Sequence, residues 1–378
     1  MLGLFTKEQE ELIERIDAMV ARGVAKRAAA LDASGAFPDA DFADIQREGL
    51  LLATLPRKDG GLGFGFHGDD PVSFYLIIER LASGNPSTAH CFQVHANSLQ
   101  ILRAGGSDEQ VARVIEPTRE RGKLIVGAGS EPGGKRTGSE AKRVPGGLSL
   151  TGSKHYATNA TRCEWMTVFV RAENPQDLDC LLVHRDSPGL EIDLAFWNPT
   201  GMRACVSPML RFKECFVPDD CILRGSSGFH KDHWLAKINF GFTANYLGAL
   251  QAMLKWATNY LRERGQLNTE LYQTYIGELR CRLDAARVLF YHALRMTRID
   301  LVQGLIKSNE AKYMAVDCLN RFFQAGAQVM GSTAYFRDLP LERMCRDMQV
   351  HMLHRRHHVG ATLVGQAELG LEFDLSRS

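Results

Sequence analysis

Apolar residues in the first 120 positions recur at the spacing of helices that bury one face. This pattern predicts helices around residues 42–51, 72–81 and 89–103, after an opening helix that follows a capping box at residues 6–9. From about residue 123 to 225 the apolar positions alternate instead, as they do along strands with one buried face. Helical spacing then returns at 234–264, 270–304 and 308–330, and in a last helix from Pro340 to Gly370.

The order of these patterns predicts an α+β fold in three parts. We expect an N-terminal helical domain over residues 1–122, a middle antiparallel β domain over residues 123–228 and a C-terminal helical bundle over residues 229–378. Glycine, proline, asparagine and aspartate interrupt the alternating stretches, as turns between short strands require.

Composition and charge exclude several classes of function. The chain has 378 residues, of which 45% are hydrophobic, and a formal net charge of +1 without a long run of one sign. This balance predicts neither a nucleic-acid partner nor an anionic membrane surface, and no apolar run is long enough to span a bilayer. The nine cysteines include no CxxC pair, so we expect free thiols and a cytoplasmic protein.

Two segments in the middle of the chain are typical of a site for a planar ligand. Residues 129–134 have the sequence Gly-Ser-Glu-Pro-Gly-Gly, which lets backbone N–H groups approach a ring closely. Residues 151–160 have the sequence Thr-Gly-Ser-Lys-His-Tyr-Ala-Thr-Asn-Ala, the pattern of a strand. Because residues two apart on a strand share a face, Tyr156 and Thr158 are expected to contact the same ligand.

Two other clusters suggest functions that their surroundings disfavour. The glycine-rich segment 61–65 follows no predicted strand and opens no helix, so we interpret it as a surface turn rather than a nucleotide loop. The four histidines between residues 351 and 358 resemble a metal site, but two arginines lie among them and no carboxylate is near in sequence. We therefore predict no metal.

Taken in order, the motifs resemble the acyl-CoA dehydrogenase superfamily of flavoproteins over essentially the whole chain. Ser130-Glu131-Pro132 is similar to the family's Thr-Glu-Pro motif, and Gly138-Ser139-Glu140 is similar to its Gly-Ser-Asp motif. Further similarities lie at residues 49–51, 60–63, 159–160, 201–204, 217–220 and 346–347. The resemblance implies a C-terminal four-helix bundle and assembly as a homotetramer, a dimer of dimers.

The resemblance also implies the residues of a flavin site. It places four residues around the flavin ring: Gly129, Ser130, Tyr156 and Thr158. It assigns the substrate side to Ser139, and the dinucleotide half of the cofactor to Arg264, Gln328 and Gly331. FAD is the expected cofactor. FMN or a loosely held reduced flavin is the alternative, since Leu267-Asn268 replaces the Phe-Gly usual in the family.

The chain departs from the family at the catalytic base. In typical members a glutamate removes the α-proton of the substrate while the flavin takes hydride from the β-carbon. Counting forward from Arg346-Asp347, that position is Arg355, and a guanidinium cannot act as a base at ordinary pH. The other place where members keep the base, near Ile238-Asn239, holds no carboxylate either.

Histidines are the candidates to replace that base. His95 and His354 fall near positions where a flavin monooxygenase branch, which resembles dibenzothiophene monooxygenase, keeps active-site histidines. A neutral imidazole can take or give a proton near neutral pH. The structural alternatives are a hydrogen-bonded interior ring for His95 and a pocket-lining ring for His354.

Three functions are therefore open. The first is an FAD-dependent oxidoreductase that acts on an acyl thioester, with the flavin as hydride acceptor and a separate electron acceptor. The second is a reduced-flavin-dependent monooxygenase that uses His95 and His354 on a small molecule, with a flavin reductase as partner. The third is a catalytically silent subunit of a heteromeric flavoprotein.

Overall fold

The chain is described by a computed structural model over residues 3–66, 68–132, 139–171, 178–223, 233–354 and 357–375, without the side chains of residues 171, 178, 179, 327 and 328. Within these ranges helices are followed by strands and then by helices, which confirms the predicted α+β class. No helix in these ranges is both long enough and apolar enough to cross a membrane.

The N-terminal region is helical, and local capping explains where its helices begin. Thr6 accepts from Gln9 N over 3.3 Å while Gln9 Oε1 accepts from Thr6 N over 3.2 Å, the predicted capping box. Asn85 Oδ1 caps the longest of these helices by accepting from Ser87 N over 3.0 Å. The helices are α1 (Lys7–Met19), α2 (Ala25–Ser34), α3 (Asp39–Arg47), α4 (Ser73–Gly84), α5 (Pro86–Gly105) and α6 (Asp108–Arg121).

The middle region contains two four-stranded sheets, ordered β1-β4-β5-β8 and β2-β3-β7-β6. The strands are β1 (Leu124–Ala128), β2 (Glu140–Val144), β3 (Gly147–Lys154), β4 (Cys163–Arg171), β5 (Leu178–His184), β6 (Leu190–Asp193), β7 (Met209–Pro218) and β8 (Ile222–Leu223). Strand β1 pairs in parallel with β4, whereas the other pairs are antiparallel. The middle region is therefore antiparallel as predicted except for the β1–β4 pair, because alternation of apolar residues carries no information on strand direction.

The C-terminal region is helical, but two predicted helix boundaries were wrong. The break expected near residues 304–308 lies at residues 297–300, and the single last helix is two helices separated by a turn that includes His354. In this region α10 packs against α8, α9 and α12. The helices are α7 (Trp234–Lys237), α8 (Asn239–Glu263), α9 (Glu270–Met296), α10 (Leu301–Met330), α11 (Pro340–His351) and α12 (His357–Glu368).

Helix α5 joins the two hydrophobic cores of the molecule. Its first half contributes Cys91 and Phe92 to a core formed with the C-terminal helices, and its second half contributes Leu99 and Leu102 to the core of the β region. Burial of these apolar side chains on both halves fixes α5 between the sheets and the bundle. Side chains near the start of α5 therefore face the junction of all three regions.

Candidate active site

A buried ion pair holds the end of β1 against the end of β3. Lys154 Nζ donates to Glu131 Oε1, and the two side chains are 1% and 2% exposed. Ser139 N donates to the same carboxylate oxygen over 3.1 Å, and His155 N donates to Ser130 O over 3.0 Å. Burial lowers the pKa of the Lys154 ammonium, and the Glu131 carboxylate opposes that shift. The Ser-Glu-Pro segment is thus anchored to the motif that follows it.

Tyr156 and Thr158 do not share a strand face as predicted, because β3 ends at Lys154. Tyr156 has a left-handed backbone with φ of 57° and is 45% exposed, beside the exposed Gly129 and Ser130. Thr158 is 2% exposed, and its N–H donates to Tyr156 O over 2.9 Å. The exposed phenol and the buried hydroxyl consequently meet different surroundings.

Aromatic side chains line the cleft around Tyr156. Its ring centroid lies 4.3 Å from that of His155 and 5.6 Å from that of Phe196, the latter in an edge-to-face arrangement. Trp197 approaches edge-on at 6.4 Å and is fixed by donation from its indole N–H to Arg203 O over 2.8 Å. Such a wall is suited to a planar, electron-rich ligand.

Imidazoles from the helices form the opposite wall. His354, in the turn after α11, stacks on Phe242 of α8 with centroids 4.4 Å apart, and its centroid lies 6.4 Å from that of Tyr156. His90 of α5 and His351 of α11 meet edge to face at 5.0 Å, and the His90 centroid lies 6.0 Å from that of His354. The His354 and Tyr156 rings are therefore neighbours across this space.

His90 and His351 are buried with one ring nitrogen each unpaired. In the described part of the chain, neither His90 Nδ1 nor His351 Nε2 has a hydrogen-bond partner. Burial lowers the pKa of His90 to about 4, and burial beside His90 and His354 lowers the pKa of His351 well below its usual value. Both rings are neutral at pH 7, and each offers a nitrogen to a bound molecule or water.

The catalytic role predicted for His95 needs correction. Its ring is fully buried, with Nδ1 accepting from Ile125 N over 3.1 Å and Nε2 donating to Leu51 O over 3.0 Å. Burial lowers its pKa to about 4. Because both nitrogens are bonded to backbone groups, the ring has none available for a substrate proton. The alternative of a hydrogen-bonded interior histidine describes this position.

The other predicted site residues are buried beside the ion pair, lie at the far end of α8, or fall outside the described residues. Ser139 is fully buried, and its hydroxyl donates to Ser153 O over 3.2 Å. At the far end of α8, Arg264 donates to Tyr260 Oη over 2.6 Å and to Thr333 Oγ1 over 3.3 Å, next to the turn at Gly331, whose φ is 75°. Arg355, residues 133–138 and the side chain of Gln328 lie outside the described residues.

Sequence reasoning missed His90, Phe242 and Ser207, the partner of Thr158. His90 and His95 both stand in the segment considered, but five residues turn a helix through 500°, so they lie about 140° apart around α5. Only the packing of α5 against α8 and α11 decides which one faces the cleft. For Phe242 and Ser207 no local pattern marks the position, since each acts through a partner distant in sequence.

Comparison with known proteins identifies the family. The chain matches the acyl-CoA dehydrogenase N-terminal domain over residues 6–120, the middle domain over residues 126–215 and the C-terminal domain over residues 235–355. The chain belongs to the acyl-CoA dehydrogenase family. It is therefore a flavin-dependent oxidoreductase, as the motifs predicted.

Individual members of the family are similar over nearly their whole length. Benzylmalonyl-CoA dehydrogenase of Aromatoleum aromaticum is 26% identical, with 92% of this chain and 94% of that protein covered. The mitochondrial short/branched chain specific acyl-CoA dehydrogenase of Rattus norvegicus is 24% identical, with 93% and 83% covered. The structure of dibenzothiophene monooxygenase TdsC of Paenibacillus sp. A11-2 with FMN and indole superposes with a TM-score of 0.85 at 21% identity, covering 97% of this chain and 99% of that one. The same fold thus occurs with two kinds of flavin chemistry.

Proposed function

We propose that this flavoprotein oxidises an acyl thioester, with the flavin ring lying against Tyr156. The observation that carries the proposal is the anchored cleft edge: Gly129, Ser130 and Tyr156 are exposed together, and the Lys154–Glu131 ion pair fixes them from behind. A bound flavin supplies a hydride acceptor there. The names of the curated relatives, which are CoA-thioester dehydrogenases, support the substrate class.

The proton of such a reaction needs an acceptor on the protein. We assign this role to His354, because its ring lies nearest to Tyr156 among the three imidazoles on the helix side of the cleft, opposite His155. His90 and His351 lie behind it and remain neutral, so they add no positive charge that would oppose protonation of His354. A neutral imidazole is ordinarily a stronger base than the carboxylate that typical members use, so it is able to take the α-proton of an acyl thioester.

Anaerobic reduction of the bound flavin tests this proposal. The flavin of the reconstituted protein should be bleached by one or more acyl-CoA thioesters and restored by an electron acceptor. His354→Ala should lower the reduction rate by about 10²-fold or more while the flavin stays bound. His292→Ala, at an exposed position on α9, is the matched control. Reduction by dithionite but by no acyl-CoA would exclude the thioester.

The histidine cluster favours a second candidate, a reduced-flavin-dependent monooxygenase. Three imidazoles meet close to the position at which the resemblance implies a carboxylate, and oxygen transfer needs groups that give and take protons. Here the expected result is oxygen-dependent product formation from a small aromatic molecule with supplied FMNH2 or FADH2, lost in His354→Ala. Wild-type activity in that variant would remove His354 from the mechanism.

The dinucleotide contacts favour assembly from more than one chain. Arg264 lies 22 residues beyond Phe242 on one helix, about 33 Å away at 1.5 Å per residue. That distance exceeds the separation of ring and pyrophosphate within one FAD molecule. Arg264 could therefore contact FAD only from a partner copy, in keeping with the homotetramer that the resemblance implies. FMN, which lacks the adenosine, would need no such contact. If the protein bound neither flavin, the silent-subunit alternative would stand.

A further inference from the structure

Two buried hydroxyl groups face each other next to the proposed flavin bed. Thr158 Oγ1 and Ser207 Oγ are 2.7 Å apart, either can be the donor, and each residue is 2% exposed. The two segments are also joined by donation from Ala157 N to Pro208 O over 2.9 Å. The hydroxyl pair is thus held by the backbone of both loops, two residues along the chain from Tyr156.

The backbone on both sides of this pair is strained. Val206, immediately before Ser207, has φ of 40° and ψ of 73°, a conformation that β-branched residues rarely adopt. Asn159, immediately after Thr158, has φ of 76°. This conformation is unfavourable for valine and better tolerated by asparagine, and surrounding contacts offset its cost. Those contacts include donation from Asn159 Nδ2 to Cys91 O over 2.9 Å. Because unusual backbone conformations are kept on both sides of the hydroxyl pair, we infer that the positions of the two hydroxyl groups are functionally important.

We propose that Ser207 is a positioning residue that lets the Thr158 hydroxyl act as a donor to the oxidised flavin and as an acceptor from the reduced flavin. The inference rests on the proposed function and on the place at the flavin ring that the resemblance gives to Thr158. A ring nitrogen that gains a proton on reduction changes from acceptor to donor, so its partner must change in the opposite sense. A hydroxyl has one proton and two lone pairs. The Thr158 hydroxyl can therefore change from donor to acceptor towards the ring only if its other hydrogen-bond partner can both donate and accept.

Ser207 meets that requirement, and its removal should affect the two redox states unequally. In Ser207→Ala with an oxidised ring, the Thr158 hydroxyl still donates to the ring. The only hydrogen bond lost is the one that Ser207 donated to Thr158 Oγ1, which leaves a lone pair of that oxygen unfilled. With a reduced ring, Thr158 accepts from the ring, and its buried proton then has no acceptor. A buried donor without an acceptor costs more free energy than an unfilled lone pair. The reduced state is the one that should be destabilised.

The experiment compares the affinities of oxidised and reduced flavin, through the midpoint potential of the bound flavin in an anaerobic titration. For Ser207→Ala we expect the reduced-to-oxidised affinity ratio to fall about tenfold, which equals a shift of about 30 mV to more negative potential for a two-electron couple. Ser207→Thr should restore the wild-type value, and Ser207→Cys should lie between. Thr118→Val is the control, because that buried hydroxyl donates to Val114 O within α6.

The outcomes separate this inference from the proposed function. In Thr158→Val the second substitution, Ser207→Ala, should cause no further shift, since the pair acts as a unit. A wild-type potential in flavin-loaded Ser207→Ala and Ser207→Cys would overturn the role of Ser207 and leave the flavin site intact. Failure of the wild-type protein to bind flavin would overturn the proposed function together with this inference.

Discussion

His90 and His95 lie on the same helix, but their ring nitrogens meet different partners. The nitrogens of His95 bond to Leu51 O and Ile125 N, whereas His90 Nδ1 has no partner within the described residues. Burial lowers the pKa of both rings to about 4. His95 therefore ties β1 to the helices, and His90 is the one of the two that contributes to the cleft.

These two rings make the fold sensitive to acid. Above pH 6.5 the ring is neutral in both the folded and the unfolded chain, but below it the unfolded ring gains a proton that the folded ring takes only near pH 4. Each ring should therefore lower the free energy of unfolding by about 3 kcal/mol as the pH falls from 6.5 to 4. The free energy of unfolding, measured by urea unfolding between pH 6.5 and 4, should fall less steeply with pH in His95→Gln than in the wild-type protein. In His292→Gln, at an exposed position, it should depend on pH as in the wild-type protein. The same loss of stability in acid in His95→Gln as in the wild-type protein would contradict the lowered pKa of His95.

The Lys154–Glu131 ion pair predicts a difference between single and double variants. Glu131→Gln leaves a buried ammonium without its carboxylate, and we expect it to cost about 3–5 kcal/mol of unfolding free energy. Combining Lys154→Met with Glu131→Leu should recover most of that stability. The double variant should still bind flavin more weakly, because Ser139 N loses its acceptor. Arg121→Ala, which breaks an exposed pair with Glu164, should cost less than about 1 kcal/mol.

At the residue scale the sequence indicated which segments to consider but not their internal geometry. The two motifs are joined by the Lys154–Glu131 ion pair, and the His354 ring lies 6.4 Å from that of Tyr156. The side-chain directions of Tyr156 and Thr158 could not be predicted, since the left-handed backbone at Tyr156 has no glycine to mark it. Likewise, the choice between His90 and His95 depends on how three helices pack rather than on any local pattern.

Helix boundaries show the same limit at the scale of elements. Gly304 suggested the end of a helix, yet it lies inside α10, where a Cβ would come within 2.6 Å of Thr297 Cγ2. The glycine is required because the turn after α9 passes close to α10, and this approach is a tertiary contact. Long, strongly periodic segments were predictable, whereas their ends were decided by such contacts.

Two glycines in the bundle provide a matched test of that explanation. Gly304→Ala should destabilise the protein by about 1–3 kcal/mol, because the added methyl overlaps Thr297. Gly277→Ala, in α9 with no atom within 4 Å of the new Cβ, should instead stabilise it by about 0.5–1 kcal/mol through helix propensity. Chemical unfolding of the two variants should give changes of opposite sign. The same change in unfolding free energy in both variants would show that the close approach of Thr297 to Gly304 is unimportant.

For the whole molecule, the separation of Arg264 from the cleft predicts sites shared between copies. Tyr156→Ala and Arg264→Ala chains should each bind FAD weakly. A mixture of the two, refolded together, should regain tight sites, because a mixed pair has one site with both intact residues. FMN binding should be impaired by Tyr156→Ala alone. A mixture no better than its components would show that one chain provides all contacts to the cofactor.

Flavin binding by the wild-type protein and by variants at two exposed aromatic residues tests the central claim most directly. Tyr156 is 45% exposed in the cleft, and Phe216 is 42% exposed on β7. We expect one flavin per chain with quenched fluorescence, an affinity about tenfold lower in Tyr156→Ala through loss of ring stacking, and wild-type affinity in Phe216→Ala. Absence of flavin binding in the wild-type protein, or equal affinities in all three proteins, would contradict the account.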